Sequence, residues 1–382
     1  MKRLVALIVL GALSTAAAGC DVSAPAATVD GVTVSRSQLD ASLNAVADSA
    51  VAQCALAIQA SAGGGSLPTV TGVGDHTVTT KFADFQLGGL VQQAIEQRAL
   101  ARRHIRVTAA DVAAARQDFE TQLGSAANQA ASQGASPCNL SGTALVGRLP
   151  RAFVDQQARS LAYQERLEAA TGHVDIRPAA LRAYYDAHQS SAVQMCLDFI
   201  VMSNQADAQA VHDLIAGGTS FLVASQDARV AQGSPPGGQG PCVYPSTVTS
   251  QLGPAVETTL AALPDGVLAP PQAVQIQNQF GPSTTYWLVI EVRQHQLVPF
   301  SVVEGSIRRG LLSQGANAFG VTMDRLVRQA RVVVDPQYGR WSTQGAVSGP
   351  VTPPPSLLLN TKADSAQSGG SILGGGLGGS GG

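Results

Sequence analysis

The sequence predicts an α+β protein in which a mostly helical region is interrupted by a smaller antiparallel-sheet region. Between residues 35 and 188, apolar residues recur at helical spacing. Residues 191–297 begin and end on apolar, strand-like segments, with helical and Gly/Pro-rich stretches between them. From residue 302 the chain returns to helical spacing and then reaches a short valine strand.

Length and composition exclude several classes of protein. The chain has 382 residues, of which 45% are hydrophobic and 13% charged, and its formal net charge is −2. At roughly 150 residues per domain, this length predicts two or three domains. The near-neutral charge and the absence of Lys/Arg runs exclude a strongly basic nucleic-acid-binding protein. No apolar run reaches the roughly 20 residues that a membrane-spanning helix needs.

The N-terminal residues indicate export. Two basic residues precede the apolar stretch Leu4–Leu13, and small residues then lead to Ala17-Ala-Gly-Cys20. We predict a signal peptide over residues 1–19. The Ala-Ala-Gly-Cys ending resembles a bacterial lipobox, in which the cysteine becomes the lipidated first residue, although Ala17 stands where leucine is preferred. The alternative is ordinary signal-peptidase cleavage near Ala18, which would leave Cys20 as a thiol.

The remaining cysteines indicate disulfides. With Cys20 lipidated, an even set is left for an oxidising compartment: Cys54, Cys138, Cys196 and Cys242. Four cysteines allow three pairings, and proximity in the chain favours Cys54–Cys138 and Cys196–Cys242. The rival interpretation, a zinc site, needs closely spaced ligands, and the chain has no C-x-x-C motif or nearby histidine pair. We therefore predict no metal and no cofactor.

The helical region begins with a small hairpin. Residues Ala27–Val34 are predicted to form it, with Asp30-Gly31 at the turn. Ser35-Arg-Ser-Gln38 has the form of a capping box that opens a helix. Residues 61–80 are rich in Gly, Ser and Thr and predict an exposed loop. Further helices are expected over residues 82–104, from Thr108, in a stretch ending near Ala170, and from Pro178 to about His188.

The sheet region is bounded by two apolar strands. These are Val193–Met202 and Tyr286–Arg293. Between them we expect a helix over Ala206–Ala216, closed by Gly217-Gly218, and a second helix over Pro254–Leu263. Strands at both ends with helices between them favour a compact domain over an antiparallel sheet.

The C-terminal part returns to helix. Residues Val302–Gln329 carry apolar positions for a core, and Val332–Val334 predicts a strand. Residues 342–382 contain Pro353-Pro-Pro355 and a Gly/Ser-rich ending, which lack the apolar content to fold. We expect this tail to be disordered.

The order of these segments resembles the extracytoplasmic parvulin-type peptidyl-prolyl isomerases and SurA-like chaperones. The hairpin and capped helix are similar to the start of a SurA-type chaperone domain. The parvulin-like pieces are the two bounding strands together with Tyr184-Tyr-Asp186, Gly217–Phe221, Ser225-Gln-Asp227, Gly237–Gly240 and Leu263–Gly266. The resemblance implies that the strand Val332–Val334 returns to pair with the hairpin.

The N-terminal pattern, the composition of the tail and this resemblance together predict a division of the chain into successive parts. They are a signal peptide over 1–19, a helical chaperone-like domain over 20–190, a parvulin-like domain over 191–297, a returning helix and strand over 298–341 and the tail over 342–382.

The resemblance also assigns site residues. Prolyl isomerisation needs no nucleophile or metal, because its barrier of about 20 kcal/mol comes from amide resonance lost on twisting. Active parvulins usually have a histidine on the first and last strands, and a Cys or Asp between them. Those positions are occupied here by Asp198, Leu288 and Asp227, while Leu252 and Val256 join Leu288 in the substrate pocket. Asp198 and Asp227 would form a coupled carboxylate pair, or Asp198 is a strand residue facing solvent.

These residues predict a foldase-like lipoprotein, lipid-anchored to the cell membrane on its extracytoplasmic side. It would bind unfolded or partly folded exported polypeptides, and its parvulin-like domain would have reduced or no isomerase activity. One alternative is an active peptidyl-prolyl isomerase that uses Asp198 and Asp227. Another is a structural lipoprotein without clients. The sequence predicts no nucleic-acid partner and leaves the oligomeric state open.

Overall fold

The computed structural model describes residues 25–231, 234–276, 283–342, 344–348 and 356–358. The predicted signal peptide and Cys20 lie outside the described residues. The described chain combines helices with antiparallel sheets, which confirms the predicted fold class.

The secondary-structure elements follow one another along the whole described chain. The helices are α1 (Arg36–Ala47), α2 (Ala50–Ala62), α3 (Thr80–Arg102), α4 (Ala109–Ser132), α5 (Gly142–Val146), α6 (Arg151–Gly172), α7 (Pro178–Ala187), α8 (Gln205–Ala216), α9 (Phe221–Ala224), α10 (Pro245–Leu252), α11 (Pro254–Ala261) and α12 (Phe300–Gln329). The strands are β1 (Ala27–Val29), β2 (Val32–Val34), β3 (Thr77–Thr79), β4 (Val193–Met202), β5 (Gln239–Val243), β6 (Val267–Leu268), β7 (Gln272–Ile276), β8 (Thr284–Leu297), β9 (Val332–Val334), β10 (Arg340–Trp341), β11 (Val347–Ser348) and β12 (Ser356–Leu358).

The chain divides into two compact units. The first contains the described residues up to Gly172 and from Gly315 onward, and the second spans His173–Gln314. The five-part division of the chain stays a prediction.

A three-stranded antiparallel sheet in the first unit joins the hairpin of β1 and β2 to the strand that follows α12. Its order is β2–β1–β9, with Val29 opposite Val32 on one side and opposite Val332 on the other. Asp30 and Gly31, with φ of 47° and 86°, form the tight turn between β1 and β2. The predicted return of Val332–Val334 to the hairpin is therefore confirmed.

Two capping boxes define helix starts in the first unit. The Ser35 N–H donates to Gln38 Oε1 at 2.8 Å, and the Gln38 N–H donates to Ser35 Oγ at 3.1 Å. Thr108 and Asp111 make the same reciprocal pair at the start of α4. Each pair satisfies backbone donors that a helix start would otherwise leave unpaired. The predicted cap at Ser35–Gln38 is present.

The first unit has an apolar core and contains one disulfide bond. Its largest fully buried side chains include Leu39, Leu56, Phe82, Leu87, Leu145 and Phe153. Cys54 on α2 is bonded to Cys138 in the segment between α4 and α5. This is the first of the two predicted pairings.

Two intervals predicted to lack regular structure contain strands. Residues 61–80 include β3, and Val78 of this strand is fully buried. Residues 342–382 include β11 and β12, and β12 pairs with β3. These strands have two or three residues each, too few for an alternating pattern to stand out from the surrounding polar, Gly- and Pro-rich sequence.

The second unit is built on an antiparallel sheet with helices on both faces. The strand order is β5–β4–β8–β6, and β7 also pairs with β8. Helices α8 and α9 cover one face, and α10 and α11 cover the other. Cys196 on β4 is bonded to Cys242 on β5, which is the second predicted pairing. The strands β5, β6 and β7 and the helices α9 and α10 were not predicted.

Within the described residues, no single helix is both long and apolar enough to cross a membrane. Only α1 and α2 taken together, which meet at a 97° bend, pass that test of length and composition.

Candidate functional site

Alternation along β4 and β8 decides which side chains share a face of the second-unit sheet. Consecutive side chains of a strand point to opposite faces, and residues in register on neighbouring strands point to the same face. The face covered by α8 and α9 carries Asp198 opposite Glu291, Ile200 opposite Val289 and Met202 opposite Trp287. The face covered by α10 and α11 carries Leu197 opposite Val292, Phe199 opposite Ile290 and Val201 opposite Leu288.

The structure brings the three predicted pocket residues together, but apart from Asp198. Leu252, Val256 and Leu288 belong to one apolar cluster on the α10/α11 face. Val256 and Leu288 are each only 3% exposed, so they pack in the core rather than line an open pocket. Asp198 lies on the opposite face of the sheet, which α8 and α9 cover.

The separation follows from the alternation of side chains along β4. The neighbour of Asp198 in the sequence, Phe199, is the β4 residue that shares the face of Leu288. Adjacent residues of a strand point to opposite faces of the sheet, so Asp198 does not share the face of Leu288.

Asp198 is a buried carboxylate held by a cation. It is 7% exposed and forms an ion pair with Arg293, two residues beyond Glu291 on β8. Glu291 stands directly across the strand pair from Asp198. Burial raises the pKa of Glu291, the negative charge of Asp198 raises it further, and Arg293 partly opposes them. The structure therefore couples Asp198 to Glu291.

Asp227 is engaged elsewhere. Its carboxylate accepts hydrogen bonds from Arg229 Nε and Nη2, both at 2.8 Å, and from the Arg229 backbone N–H at 2.9 Å. These bonds, the side-chain bonds first, hold the pKa of Asp227 well below its usual range. The predicted Asp198–Asp227 pair is thus replaced by Asp198–Glu291. The signal for Glu291 was available, because it is the acidic residue in the otherwise apolar strand Tyr286–Val292.

Asp198 and Glu291 line an open cavity of about 410 Å³. The other lining residues come from the end of α8, the start of α9 and the approach to β5: Ile215, Gly218, Thr219, Ser220, Phe221, Leu222, Gly237 and Gln239. Ligand sites in proteins typically span about 300 to 1,000 Å³. The cavity has the size of a site for a small group or for side chains of a polypeptide.

Two residues of the cavity wall have backbone conformations that favour glycine. Gly237 has a φ of 67°, and a Cβ there would lie 2.9 Å from Leu222 Cδ1. Gly218, which ends the turn after α8, has a φ of 98°. Both conformations favour glycine, so the sequence at these two points is fitted to the shape of the cavity wall.

The cavity offers binding groups rather than an assembled acid–base catalyst. His188 donates to the Tyr184 carbonyl at 2.8 Å, His212 lies 3.2 Å from Asp213, and His295 lies 2.6 Å from Asp265. These three histidines are not among its lining residues. Within the described part of the chain, no group of three or more His, Cys, Asp or Glu side chains could hold a metal ion. The cavity can accept hydrogen bonds at its carboxylates and contact apolar groups at Phe221 and Leu222.

Comparison with known proteins gives distant structural matches only. No protein-family model and no curated protein matches the chain. The foldase PrsA of Lactococcus lactis matches with 13% identity and a TM-score of 0.32, covering 82% of this chain and 95% of that one. PrsA of Streptococcus pneumoniae matches with 11% identity and a TM-score of 0.30, covering 62% and 79%. A structure of the SurA-like Campylobacter jejuni chaperones PEB4 and Cj1289 matches with 13% identity and a TM-score of 0.26, covering 82% and 99%. Similarity at this level does not establish the function of the chain.

Proposed function

We propose that this protein is a membrane-anchored extracytoplasmic foldase or chaperone that binds exported, unfolded polypeptides. The observation that carries the proposal is the second-unit cavity, whose lining combines the buried Asp198 and the half-buried Glu291 with apolar side chains of α8 and α9. Unfolded polypeptides expose large apolar side chains and unpaired backbone amides that folding largely buries or pairs. A cavity that accepts such groups together therefore favours the unfolded state.

Apolar surface beside the cavity supports this role. Leu222 is 58% exposed and lines the cavity, and its neighbour Val223 is equally exposed. Both belong to α9, whose other side packs Phe221 and Ala224 into the core of the unit. Exposed apolar residues that adjoin a cavity are typical of interaction sites. Glu291, which is half-buried beside the Asp198–Arg293 ion pair, adds an acceptor for Arg and Lys side chains of a client.

Isomerase activity is expected to be reduced or absent. A proline pocket must be open to its substrate and must exclude water around the amide. Leu252, Val256 and Leu288 are instead packed together on the α10/α11 face, away from the carboxylate assigned to work with them. The second unit would then act as a binding module.

Export and anchoring are inferred from the N-terminal sequence and the cysteines. The four cysteines within the described residues form two disulfides, which persist in oxidising compartments. A lipidated Cys20 would hold the protein where clients emerge and raise their effective concentration. A single acyl chain binds a membrane only marginally, so stable anchoring would need a diacylated cysteine. Mass spectrometry of the N-terminal peptide, with Cys20→Ser as the control, tests this assignment.

The binding role is tested by light scattering of chemically unfolded citrate synthase diluted into buffer. The full chain should delay aggregation, and Leu222→Ser should weaken the delay because it removes apolar surface at the cavity. Val321→Ser is the matched control, since Val321 is 70% exposed on α12. A full chain that neither delays aggregation nor binds the client would contradict the proposal and favour a structural lipoprotein.

A further inference from the structure

The last described segment of the chain lies as a strand on the first unit. Strand β12 pairs antiparallel with β3, with Ser356 opposite Thr79, Leu357 opposite Val78 and Leu358 opposite Thr77. The segment belongs to the part of the sequence that composition predicts to be disordered. A three-residue segment of that tail is therefore paired at a specific register with a strand of the first unit.

Strand β3 offers one free edge to this segment. On its other side, the Thr79 N–H donates to the Val70 carbonyl at 2.9 Å, and the Gly72 N–H donates to the Thr77 carbonyl at 3.0 Å. Alternate residues of a strand direct their backbone groups to opposite sides, so Val78 directs its N–H and C=O toward β12. An edge of this kind is a template for any extended chain that can pair with it.

One apolar side chain anchors the pairing. Leu357 lies opposite the fully buried Val78 and packs against the core of the first unit. Strand β12 also contacts α3, the helix that follows β3 directly. Recognition thus consists of backbone pairing along β3 and one apolar contact beside α3. Backbone pairing does not depend on side-chain identity, so many sequences satisfy this pattern.

The tail has the chemistry of an unfolded client. Residues 351–360, Val-Thr-Pro-Pro-Pro-Ser-Leu-Leu-Leu-Asn, carry no charge. The paired part has only three residues, so an extended polypeptide of similar character can compete for the same edge.

We propose that the β3 edge and the adjoining surface of α3 form a docking groove for extended apolar polypeptide segments, which the chain's own strand β12 occupies in cis. A client segment binds by replacing β12, with its backbone on Val78 and an apolar side chain in the place of Leu357. This inference rests on the proposed function, because it assigns a second contact for the same exported polypeptides.

The test uses the full chain and a fluorescein-labelled synthetic peptide, Pro-Pro-Pro-Ser-Leu-Leu-Leu-Asn-Thr-Lys, which has the sequence of residues 353–362. Leu357→Asp removes the anchor and places a charge against the core. Leu373→Asp makes the same change in the tail outside β12. A tethered strand competes at an effective concentration of the order of millimolar. Fluorescence anisotropy should therefore show at least about tenfold tighter peptide binding to Leu357→Asp than to the natural chain, with Leu373→Asp unchanged.

Equal affinity in all three proteins, or an equal gain in both variants, would overturn the inference. Amide hydrogen exchange supplies a second measurement that does not depend on affinity. The Val78 amide, which points toward β12, should exchange faster in Leu357→Asp, and added peptide should restore its protection, whereas the Thr79 amide bonded to Val70 should be unchanged. Unchanged exchange at Val78 in a variant that melts cooperatively would also overturn the inference.

The outcomes separate this inference from the proposed function. If Leu357→Asp gains peptide affinity while the full chain fails to delay aggregation, the groove stands and the chaperone role fails. If the full chain delays aggregation and Leu357→Asp gains nothing, the chaperone role stands and the groove fails.

Discussion

Replacing Glu96 with glutamine should stabilise the first unit at neutral and alkaline pH. Glu96 lies on α3 and is 1% exposed. Neither of its carboxylate oxygens has a hydrogen-bond partner among the described residues. Burial therefore disfavours the charged form and raises the pKa of Glu96 from 4.5 to about 8.

The expected size follows from linkage between protonation and folding. Between pH 4.5 and about 8 the folded state keeps a proton on Glu96 that the unfolded state releases, so the free energy of unfolding falls as pH rises. The difference between those two values, at about 1.36 kcal/mol for each pH unit, amounts to about 5 kcal/mol. This stability is fully present below pH 4.5 and is lost as pH rises through about 8. Glutamine has the same shape and no charge, so it should remove most of this loss.

The assay is urea unfolding between pH 4 and pH 9, with both disulfides intact. Trp341 lies in the first unit and Trp287 in the second, so fluorescence in a Trp287→Phe background reports the first unit. Asp84 on the same helix, whose pKa burial raises to about 6, adds a similar loss at lower pH. The comparison is therefore clearest above pH 7, where Glu96→Gln should unfold at higher urea than the natural chain.

The control is Asp324→Asn, which neutralises an exposed carboxylate on α12. It should leave the pH dependence unchanged, because an exposed carboxylate is solvated in both the folded and the unfolded state. Equal loss of stability above pH 7 in the natural chain and in Glu96→Gln would show that Glu96 is charged and paired, or reaches water, in the folded protein, contrary to this prediction.

Three further predictions concern the second unit. Arg293→Ala should lower the free energy of unfolding of this unit in urea by about 1 to 3 kcal/mol, because it leaves the buried Asp198 without its cation. Adding Asp198→Asn should recover much of that loss. No recovery would show that the two side chains are not coupled. Replacing Cys196 and Cys242 by serine should cost up to about 4 kcal/mol, since the disulfide closes a loop with a sequence separation of 46; free thiols at these positions in protein from the cell envelope would contradict the pairing. NMR exchange between the cis and trans forms of a proline peptide should not be accelerated by catalytic amounts of the folded chain, and acceleration abolished by Asp198→Ala would establish an active isomerase instead.

Local signals in the sequence predicted the parts of the fold that local chemistry determines. The cap at Ser35–Gln38 depends on two side chains three residues apart, and the turn at Asp30-Gly31 on backbone conformation. Both disulfides were predicted from parity and proximity in the chain. The return of Val332–Val334 to the hairpin was predicted from the family resemblance, since the local sequence of this strand does not identify its partner.

Pairings between short segments far apart in the sequence were missed. Neither Thr77–Thr79 nor Ser356–Leu358 has enough residues to show strand periodicity. Each forms a strand by pairing with the other and by packing one side chain against the core of the first unit. Tertiary context of this kind overrides local composition.

The site was predicted only in part, because adjacent residues of a strand point to opposite faces of the sheet. Which side chains share a face depends on the exact register between the strands. Asp198 was identified as a candidate, and it lines the cavity. Its proposed partners were not its neighbours, since Leu288 points to the other face and Asp227 bonds to Arg229. Glu291 became visible as a site residue only through its register with Asp198.

Photo-crosslinking from the cavity shows directly whether unfolded polypeptides bind there. A benzophenone amino acid placed at position 222 of the full chain, and separately at position 321 as the control, would be irradiated with an unfolded or a native client. We expect crosslinks from position 222 to the unfolded client, and few from position 321 or to the native client. Equal crosslinking from both positions, or none from position 222, would contradict the claim that this cavity binds unfolded polypeptides.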